Sequence, residues 1–229
     1  MADASPKLIE MMTQVADALG EELLNQVVFV GGVTTGLFVT DEFSKEDVRF
    51  TDDVDLIVNI ASRVEWIQLQ EKLREQGFGE SMNDDLTCRM RLGELKVDFM
   101  PEDPSILGFS NMWYSEGLAN ARDYLLPNGL NVRILTPALF VATKLEAHKG
   151  RGADDIQLSR DLEDILIVID GREEIVEEIN SSPDKIKNYI KDEFHSLLHH
   201  EDFEYTVEGA VRGDDGRKNL IYERMNSVL

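Results

Sequence analysis

Two aspartates, two positions apart, are the residues of this sequence best suited to chemistry. Asp53 and Asp55 lie in the segment TDDVDLIV, an apolar run typical of a buried strand. Because side chains alternate along a strand, both carboxylates point to one face and repel each other unless a cation lies between them. Oxygen ligands of this kind suit Mg²⁺, which keeps several waters and takes further oxygens from substrate phosphates. The pair therefore predicts a magnesium site.

A Gly-Gly turn precedes this pair in the chain. The short apolar run at 27–30 is typical of a strand and ends at Gly31 and Gly32, and residues 33–40 are predicted to open a helix. Free N–H groups and the positive dipole end at such a helix start favour phosphate. Each feature alone is common. A turn that could bind phosphate, followed by two carboxylates that could bind Mg²⁺, is the combination that nucleotidyl transfer requires.

A hairpin at 86–100 brings in a third carboxylate. Its two-residue loop begins with Gly93, which fits a type II′ turn, and this turn sets the register that places Arg89 opposite Asp98 on a polar face. The spacing leaves two interpretations open. Asp98 is either half of an ordinary cross-strand ion pair, or a third carboxylate beside the first two, with the nearby cations facing a triphosphate.

Several other residues carry weaker signals. Lys144 lies beside the apolar stripe of a helix predicted from 137 to about 148, where most lysines extend to solvent. Trp113 and Tyr114 could stack a base, although aromatics that anchor a loop are more usual. His195 and His199 have a spacing that can bind a metal, but no third ligand is in view, so cations near a helix C-terminus are favoured.

Composition limits the function classes. The chain has 229 residues and no apolar run of membrane-spanning length. Its 23 basic and 45 acidic residues give a net charge of −22, which repels nucleic acid and anionic membranes. Cys88 is the single cysteine, expected as a core residue, and excludes an internal disulfide. Since the N-terminus lacks a signal-peptide pattern, we expect a cytoplasmic protein without a membrane partner.

Periodicity and start and stop signals predict the remaining elements. Further helices are expected at 5–24, 62–77, 160–169, 173–180 and 183–200, a strand at 131–135, loops at 41–50, 150–155 and 201–216, irregular chain at 104–128, and a short helix in the last dozen residues. The loop at 41–50 is polar and is expected near the site.

The motifs GG, TDDVD, LKVDFMP, LTPALFVATKLEAHKGRG and SRDLEDI, taken in this order, resemble the AbiEii/AbiGii nucleotidyltransferase toxin family, part of the polymerase-beta-like nucleotidyltransferase superfamily. The resemblance covers roughly residues 25–172. It implies an α/β (α+β mixed) nucleotidyltransferase fold, in which a mixed sheet is flanked by helices and followed by a helical C-terminal part. We expect a catalytic core at 1–135 and a helical part at 136–229 that completes the NTP site.

The resemblance also implies roles at the metal site. Asp53 and Asp55 would ligate Mg²⁺, and Asp98 would be the third carboxylate, which completes the metal site or activates the acceptor hydroxyl. Thr51 resembles the hydroxyl residue that precedes the acidic pair. The hairpin register, independently of the resemblance, places Arg89 among the residues expected to bind the nucleotide.

Further residues match the family's nucleotide-binding positions. Gly31 and Gly32 would hold the nucleotide phosphates. Lys144 resembles a helix lysine that reaches the triphosphate, and Asp161 resembles the acid that pairs with it, with Asp164 as the alternative alignment. The interval from Gly32 to the aspartate pair is longer than the superfamily pattern, so the segment 41–50 is expected to reshape or cover the site.

The expected function is Mg²⁺-dependent transfer of an NMP from an NTP to an acceptor hydroxyl, with release of pyrophosphate. The resemblance suggests the toxin of an antiphage toxin–antitoxin pair, with an antitoxin protein as partner. One alternative is an aminoglycoside-type antibiotic nucleotidyltransferase, because an acidic surface suits a cationic acceptor better than tRNA. Another is a catalytically inactive relative that binds nucleotide or a partner protein. The sequence does not identify the acceptor (tRNA, protein or small molecule), the preferred NTP or the oligomeric state.

Overall fold

The computed structural model describes residues 5–82, 84, 86–151 and 155–229. The described chain divides into two compact units. We call Ser5–Thr34 with Phe50–Thr136 the sheet unit, and Thr35–Arg49 with Pro137–Leu229 the helical unit.

The sheet unit is built on six strands in a mixed sheet. The strands are β1 (Val27–Val30), β2 (Asp53–Val58), β3 (Arg89–Leu92), β4 (Leu95–Pro101), β5 (Arg122–Leu125) and β6 (Asn131–Ile134), in the spatial order β3-β4-β2-β1-β6-β5. The pairs β2/β4 and β1/β6 are parallel, and the other neighbours are antiparallel. Parallel and antiparallel pairs in one sheet, with a helical C-terminal part, confirm the predicted mixed α/β class.

Helices account for most of the remaining chain. The sheet unit contains α1 (Ser5–Leu24, kinked at Gly20), α4 (Arg63–Glu75), α5 (Pro104–Leu107) and α6 (Tyr114–Ala119). The helical unit contains α2 (Thr35–Phe38), α3 (Glu42–Lys45), α7 (Pro137–Arg151), α8 (Arg160–Gly171), α9 (Ile175–Asn180), α10 (Asp184–Leu198), α11 (Phe203–Ala210) and α12 (Asp215–Val228). Within the described part of the chain, no helix combines the length and the apolar character needed to cross a bilayer.

The core of each unit follows from its apolar pattern. In the sheet unit, the central strands bury Val28, Phe29, Leu56, Val97 and Phe99 completely. In the helical unit, α7 packs against α8, and every residue from Pro137 to Leu145 is buried. The central strands therefore form a rigid frame for the polar side chains at their ends.

The hairpin was predicted correctly in detail. Arg89 pairs with Asp98 and Leu92 with Leu95, as the type II′ register requires. Gly93 has φ +62°, whereas Glu94 does not adopt a positive φ, which is the pattern of a type II′ turn.

Other local predictions were wrong, mostly where helices are short. The segment 104–128 was expected to be irregular, but it contains α5, α6 and β5, and the loops expected at 41–50 and 201–216 contain α3 and α11. One-turn helices are too short to show a 3.6-residue period. In α11 that period was present, because Phe203, Thr206 and Val207 form its buried face. The loop predicted at 150–155 falls partly on 152–154, which lie outside the described residues.

Candidate functional site

Two parallel strands bring three carboxylates together in the sheet unit. In the β2/β4 register, Asp55 lies directly opposite Asp98, and Asp53 lies two residues before Asp55 on the same face. One carboxylate oxygen from each of the three residues lies within 4.8 Å of the other two. We call Asp53, Asp55 and Asp98 the acidic triad. Asp98 is 6% exposed, and the other two are half-buried.

The composition of the acidic triad fits a hard divalent cation. Its donors are carboxylate oxygens, which Mg²⁺ prefers, and they stand on paired strands that hold them in place. The half-buried positions of Asp53 and Asp55 leave room for the waters and phosphate oxygens that Mg²⁺ normally retains. In the described part of the chain, this triad is the group of acidic, histidine or cysteine side chains whose spacing could hold a metal ion.

Gly31 lies against the triad because of the antiparallel β1/β2 register. Val30 pairs with Asp55, so the turn after β1 passes beside the Asp55 carboxylate. A Cβ atom at Gly31 would lie 1.9 Å from Asp55 Oδ2, and Gly31 also has φ +71°. Glycine is therefore required here both by its backbone conformation and by the close approach of the carboxylate.

The turn itself differs from the prediction. Residues 33–40 do not form one helix, because Gly32–Thr34 is a 3₁₀ turn and α2 is a single turn. Thr34 N and Oγ1 both donate to Gly31 O, at 3.2 and 2.9 Å. A single turn aligns too few peptide units for a strong dipole, so the argument for phosphate binding from a helix end no longer holds. The roles of Gly31 and Gly32 in phosphate binding remain predictions.

Two neighbouring side chains orient the triad. Thr51 Oγ1 donates a hydrogen bond of 2.5 Å to Asp53 Oδ1. Arg89 Nε and Nη2 donate to the two oxygens of Asp98, each at 2.7 Å, and Nη2 also reaches Asp53 Oδ2 at 3.3 Å. The hydrogen bond to Asp98 raises the pKa of Arg89 above its ordinary value. The two interpretations of Asp98 are thus compatible, since it pairs with Arg89 and also lies beside Asp53 and Asp55.

The helical unit contains a separate cluster around Lys144. Lys144 Nζ donates to Asp164 Oδ2 at 2.6 Å and to Asp161 Oδ1 at 3.1 Å. The residue is 5% exposed, so it does not extend to solvent as most lysines beside an apolar stripe do. Both acids considered from the sequence therefore pair with it. Burial alone would lower the pKa of Lys144, but the charges of Asp164 and Asp161 raise it above its usual value.

Arg49 and Arg151 complete this cluster, and the sequence indicated neither of them. Arg49 donates to both oxygens of Asp164 at 2.8 Å, and Arg151 likewise donates to both oxygens of Asp161 at 2.9 and 3.0 Å. Arg49 lies near the end of the segment 41–50, and at the start of that segment Asp41 N donates to Gly171 O. Arg49 and Asp164 are 115 positions apart in the chain, so no local spacing indicated this contact.

The aromatic and histidine candidates from the sequence have structural contacts. Trp113 is completely buried and is not available to stack a base, while Tyr114 Oη contacts Met100 Sδ at 3.1 Å. The rings of His195 and His199 stack with centroids 4.3 Å apart, and within the described chain they belong to no group of three metal-binding side chains. Their assignment as ordinary helix residues fits this geometry.

Cys88 is a core residue, as predicted. Its side chain is 3% exposed, and burial, followed by the charge of Asp98, raises the pKa of the thiol to about 12. A thiol protonated to this degree is a poor nucleophile, which excludes Cys88 from cysteine catalysis near neutral pH.

No protein-family model matches the sequence, and no curated protein matches it. Among solved structures, the chain is similar to the solution structure of the antibiotic-resistance factor ANT(2'')-Ia. The identity is 15%, the TM-score is 0.45, and the match covers 86% of this chain and 97% of the other. A TM-score this low does not establish a shared fold, so the functional assignment depends on the residues of this chain.

Proposed function

We propose that this protein is a Mg²⁺-dependent nucleotidyltransferase that moves an NMP from an NTP to an acceptor hydroxyl and releases pyrophosphate. The observation that supports this proposal most strongly is the acidic triad on the paired strands β2 and β4. Three carboxylates held this close repel one another, and a bound cation would relieve that repulsion. The ordered motifs that resemble the polymerase-beta-like superfamily add support from the sequence.

Each residue of the site has a distinct part in the proposed reaction. Asp53, Asp55 and Asp98 would hold the metal, which when bound neutralises charge on the transferring phosphoryl group and orients the attack. Thr51 fixes the rotamer of Asp53 through its hydrogen bond. Gly31 leaves the space that the Asp55 carboxylate occupies. Catalysis of this type depends on positioning and electrostatics more than on covalent chemistry by the protein.

Lys144 is proposed as a nucleotide-binding residue on the basis of the family resemblance. Its two carboxylate partners hold the ammonium group in a fixed place, which suits a residue that must meet a phosphate without reorganisation. The same contacts also suit a purely structural ion pair, so this role requires its own test.

The acceptor and biological role follow from different observations. The motif order favours the AbiEii-type toxin, which would modify a cellular acceptor and be held in check by an antitoxin. The net charge of −22 instead favours a small cationic acceptor, as in the aminoglycoside-type alternative, because tRNA would be repelled. Induced expression with and without a candidate antitoxin tests the first role, since a toxin should arrest growth only when expressed alone.

A labelling assay tests the core proposal. The protein is incubated with each α-labelled NTP, with and without Mg²⁺, and with tRNA, proteins and aminoglycosides as acceptors. We expect Mg²⁺-dependent label transfer and pyrophosphate release, abolished in Asp53→Asn and Asp55→Asn. Asp52→Asn is the matched control, because Asp52 pairs with Lys96 at 2.7 Å and is not part of the acidic triad. Mg²⁺-dependent ATP binding without turnover on any acceptor would favour the inactive relative.

A further inference from the structure

The contacts of Arg89 bear on how the acidic triad takes up its metal. Arg89 and Asp98 are cross-strand partners in the β3/β4 hairpin, so the backbone register itself brings the guanidinium to the triad. The arginine forms a bidentate pair with Asp98 at 2.7 Å, and its Nη2 atom is shared with Asp53 Oδ2 at 3.3 Å. The side chains of Arg89 and Asp98 are only 14% and 8% exposed. One guanidinium thus pairs with two of the three carboxylates.

The same contacts occupy the oxygens that a metal would need. Both oxygens of Asp98 accept from Arg89, and the two oxygens of Asp53 accept from Thr51 and Arg89. Each carboxylate oxygen has a second lone pair, so a metal is not excluded by hydrogen bonding. It must, however, bind within a few ångströms of a fixed positive charge in a partly buried place, where water screens repulsion poorly.

We propose that Arg89 is an internal counter-ion of the acidic triad, which weakens binding of a bare divalent cation and makes metal uptake depend on nucleotide phosphate. The phosphates bring negative charge that offsets the repulsion between metal and guanidinium. They also offer Arg89 new hydrogen-bond acceptors when it gives up its hydrogen bonds to Asp53 and Asp98. This inference rests on the proposed function, because it assigns the triad to a divalent metal and the co-substrate to an NTP. It makes Arg89 a residue that sets the order of metal and nucleotide binding.

Arg91 provides a matched control on the same strand and the same face of β3. It also forms a bidentate pair, with Asp84 at 2.7 and 2.8 Å, but that carboxylate lies outside the triad. Arg89→Gln and Arg91→Gln therefore remove the same charge and the same kind of ion pair. Only the first change alters the neighbourhood of the proposed metal site.

Mn²⁺ alone, followed by electron paramagnetic resonance, is the probe that tests the inference without turnover. We expect Arg89→Gln to bind Mn²⁺ at least about tenfold more tightly than the unmodified protein, because a positive charge next to the ion is gone. Arg91→Gln should leave the affinity unchanged. Adding a non-hydrolysable ATP analogue should tighten Mn²⁺ binding in the unmodified protein, and the improvement should be smaller in Arg89→Gln.

The outcomes separate this inference from the proposed function. Tight Mn²⁺ binding by the unmodified protein, unchanged in Arg89→Gln, would overturn the counter-ion role and leave the metal site in place. No Mn²⁺ binding by any variant, even with the ATP analogue, would overturn both. Arg89→Lys keeps the charge but not the two-point contact, and serves if Arg89→Gln fails to fold. Because the charge is kept, we expect Arg89→Lys to bind Mn²⁺ alone about as weakly as the unmodified protein and to gain from the nucleotide analogue; no gain from the analogue would contradict the proposal.

Discussion

Substituting Gly31 by alanine should separate the stability of the sheet unit from the geometry of its acidic triad. The new methyl group would lie 1.9 Å from Asp55 Oδ2, so the two must part by about 1.5 Å to reach ordinary contact at 3.4 Å. Asp55 is paired on both sides, with Val30 on β1 and Asp98 on β4, so its backbone is held. We therefore expect its carboxylate to rotate out of the triad while the strand stays in place.

Two magnitudes follow from this geometry. Alanine at φ +71° costs about 1–2 kcal/mol of folding free energy, because an L-residue is strained in the left-handed region. Rotation of the Asp55 carboxylate relieves repulsion within the triad and so adds little to that cost. Loss of one metal ligand should remove several kcal/mol of transition-state stabilisation, or about 100-fold or more in rate. Activity should thus fall far more than stability.

Gly77→Ala is the control for backbone strain. Gly77 has φ +91°, and a Cβ atom there would meet no heavy atom within 4 Å. Chemical denaturation should give both variants a similar loss of unfolding free energy, and nucleotidyl transfer should collapse only in Gly31→Ala. Equal activity in the two variants would refute the placement of Asp55 in the catalytic site. A much larger stability loss in Gly31→Ala would show that the strand, and not the side chain, gives way.

Further predictions concern Asp98, Lys144 with its partner Asp161, and Cys88. Asp98→Asn should remove most transfer activity, measured as pyrophosphate release, with a loss of stability smaller than the loss in rate; normal turnover would return Asp98 to an ordinary ion pair. Lys144→Ala should cost about 3–5 kcal/mol in denaturation, because Asp161 and Asp164 lose a buried partner. The pKa of Lys144 is raised and that of Asp161 is lowered, so their pairing should stabilise fully between the ordinary Asp and Lys values, about pH 4 to 10, and weaken outside that range. Cys88 should resist iodoacetamide at pH 8 until the protein unfolds, and rapid labelling of the native protein would contradict its burial.

The expected cost of the lysine substitution shows what the sequence alone could not provide. Beside an apolar stripe, most lysines extend to solvent, whereas Lys144 is 5% exposed and forms two ion pairs. Asp161 and Asp164 were identifiable because the motif SRDLEDI resembles that of the toxin family, which implies that one of these acids pairs with the lysine. Arg49 was not, because its contact closes a long loop that leaves no periodic or local signal.

The hairpin and the triad differ in how far local sequence determines their contacts. The pairing of Arg89 with Asp98 followed from a two-residue turn and a period of two, both of which are local. The pairing of Asp55 with Asp98 depends on β2 and β4 being parallel neighbours, joined through α4 and the hairpin. No spacing in the chain specifies which strands of a sheet become neighbours. That contact came only from the family resemblance.

The two carboxylate clusters differ in how their charge is balanced, and the difference explains why we assign a metal ion to only one. Asp164 is completely buried, and two cations, Arg49 and Lys144, serve this one carboxylate. In the acidic triad, by contrast, one guanidinium from Arg89 is divided between two carboxylates, and part of the site is open to solvent. Neutralising an acid in the first cluster strands buried positive charge and should destabilise the fold. Neutralising an acid in the triad also relieves repulsion between neighbouring carboxylates, so the cost to the fold should be smaller than in the first cluster.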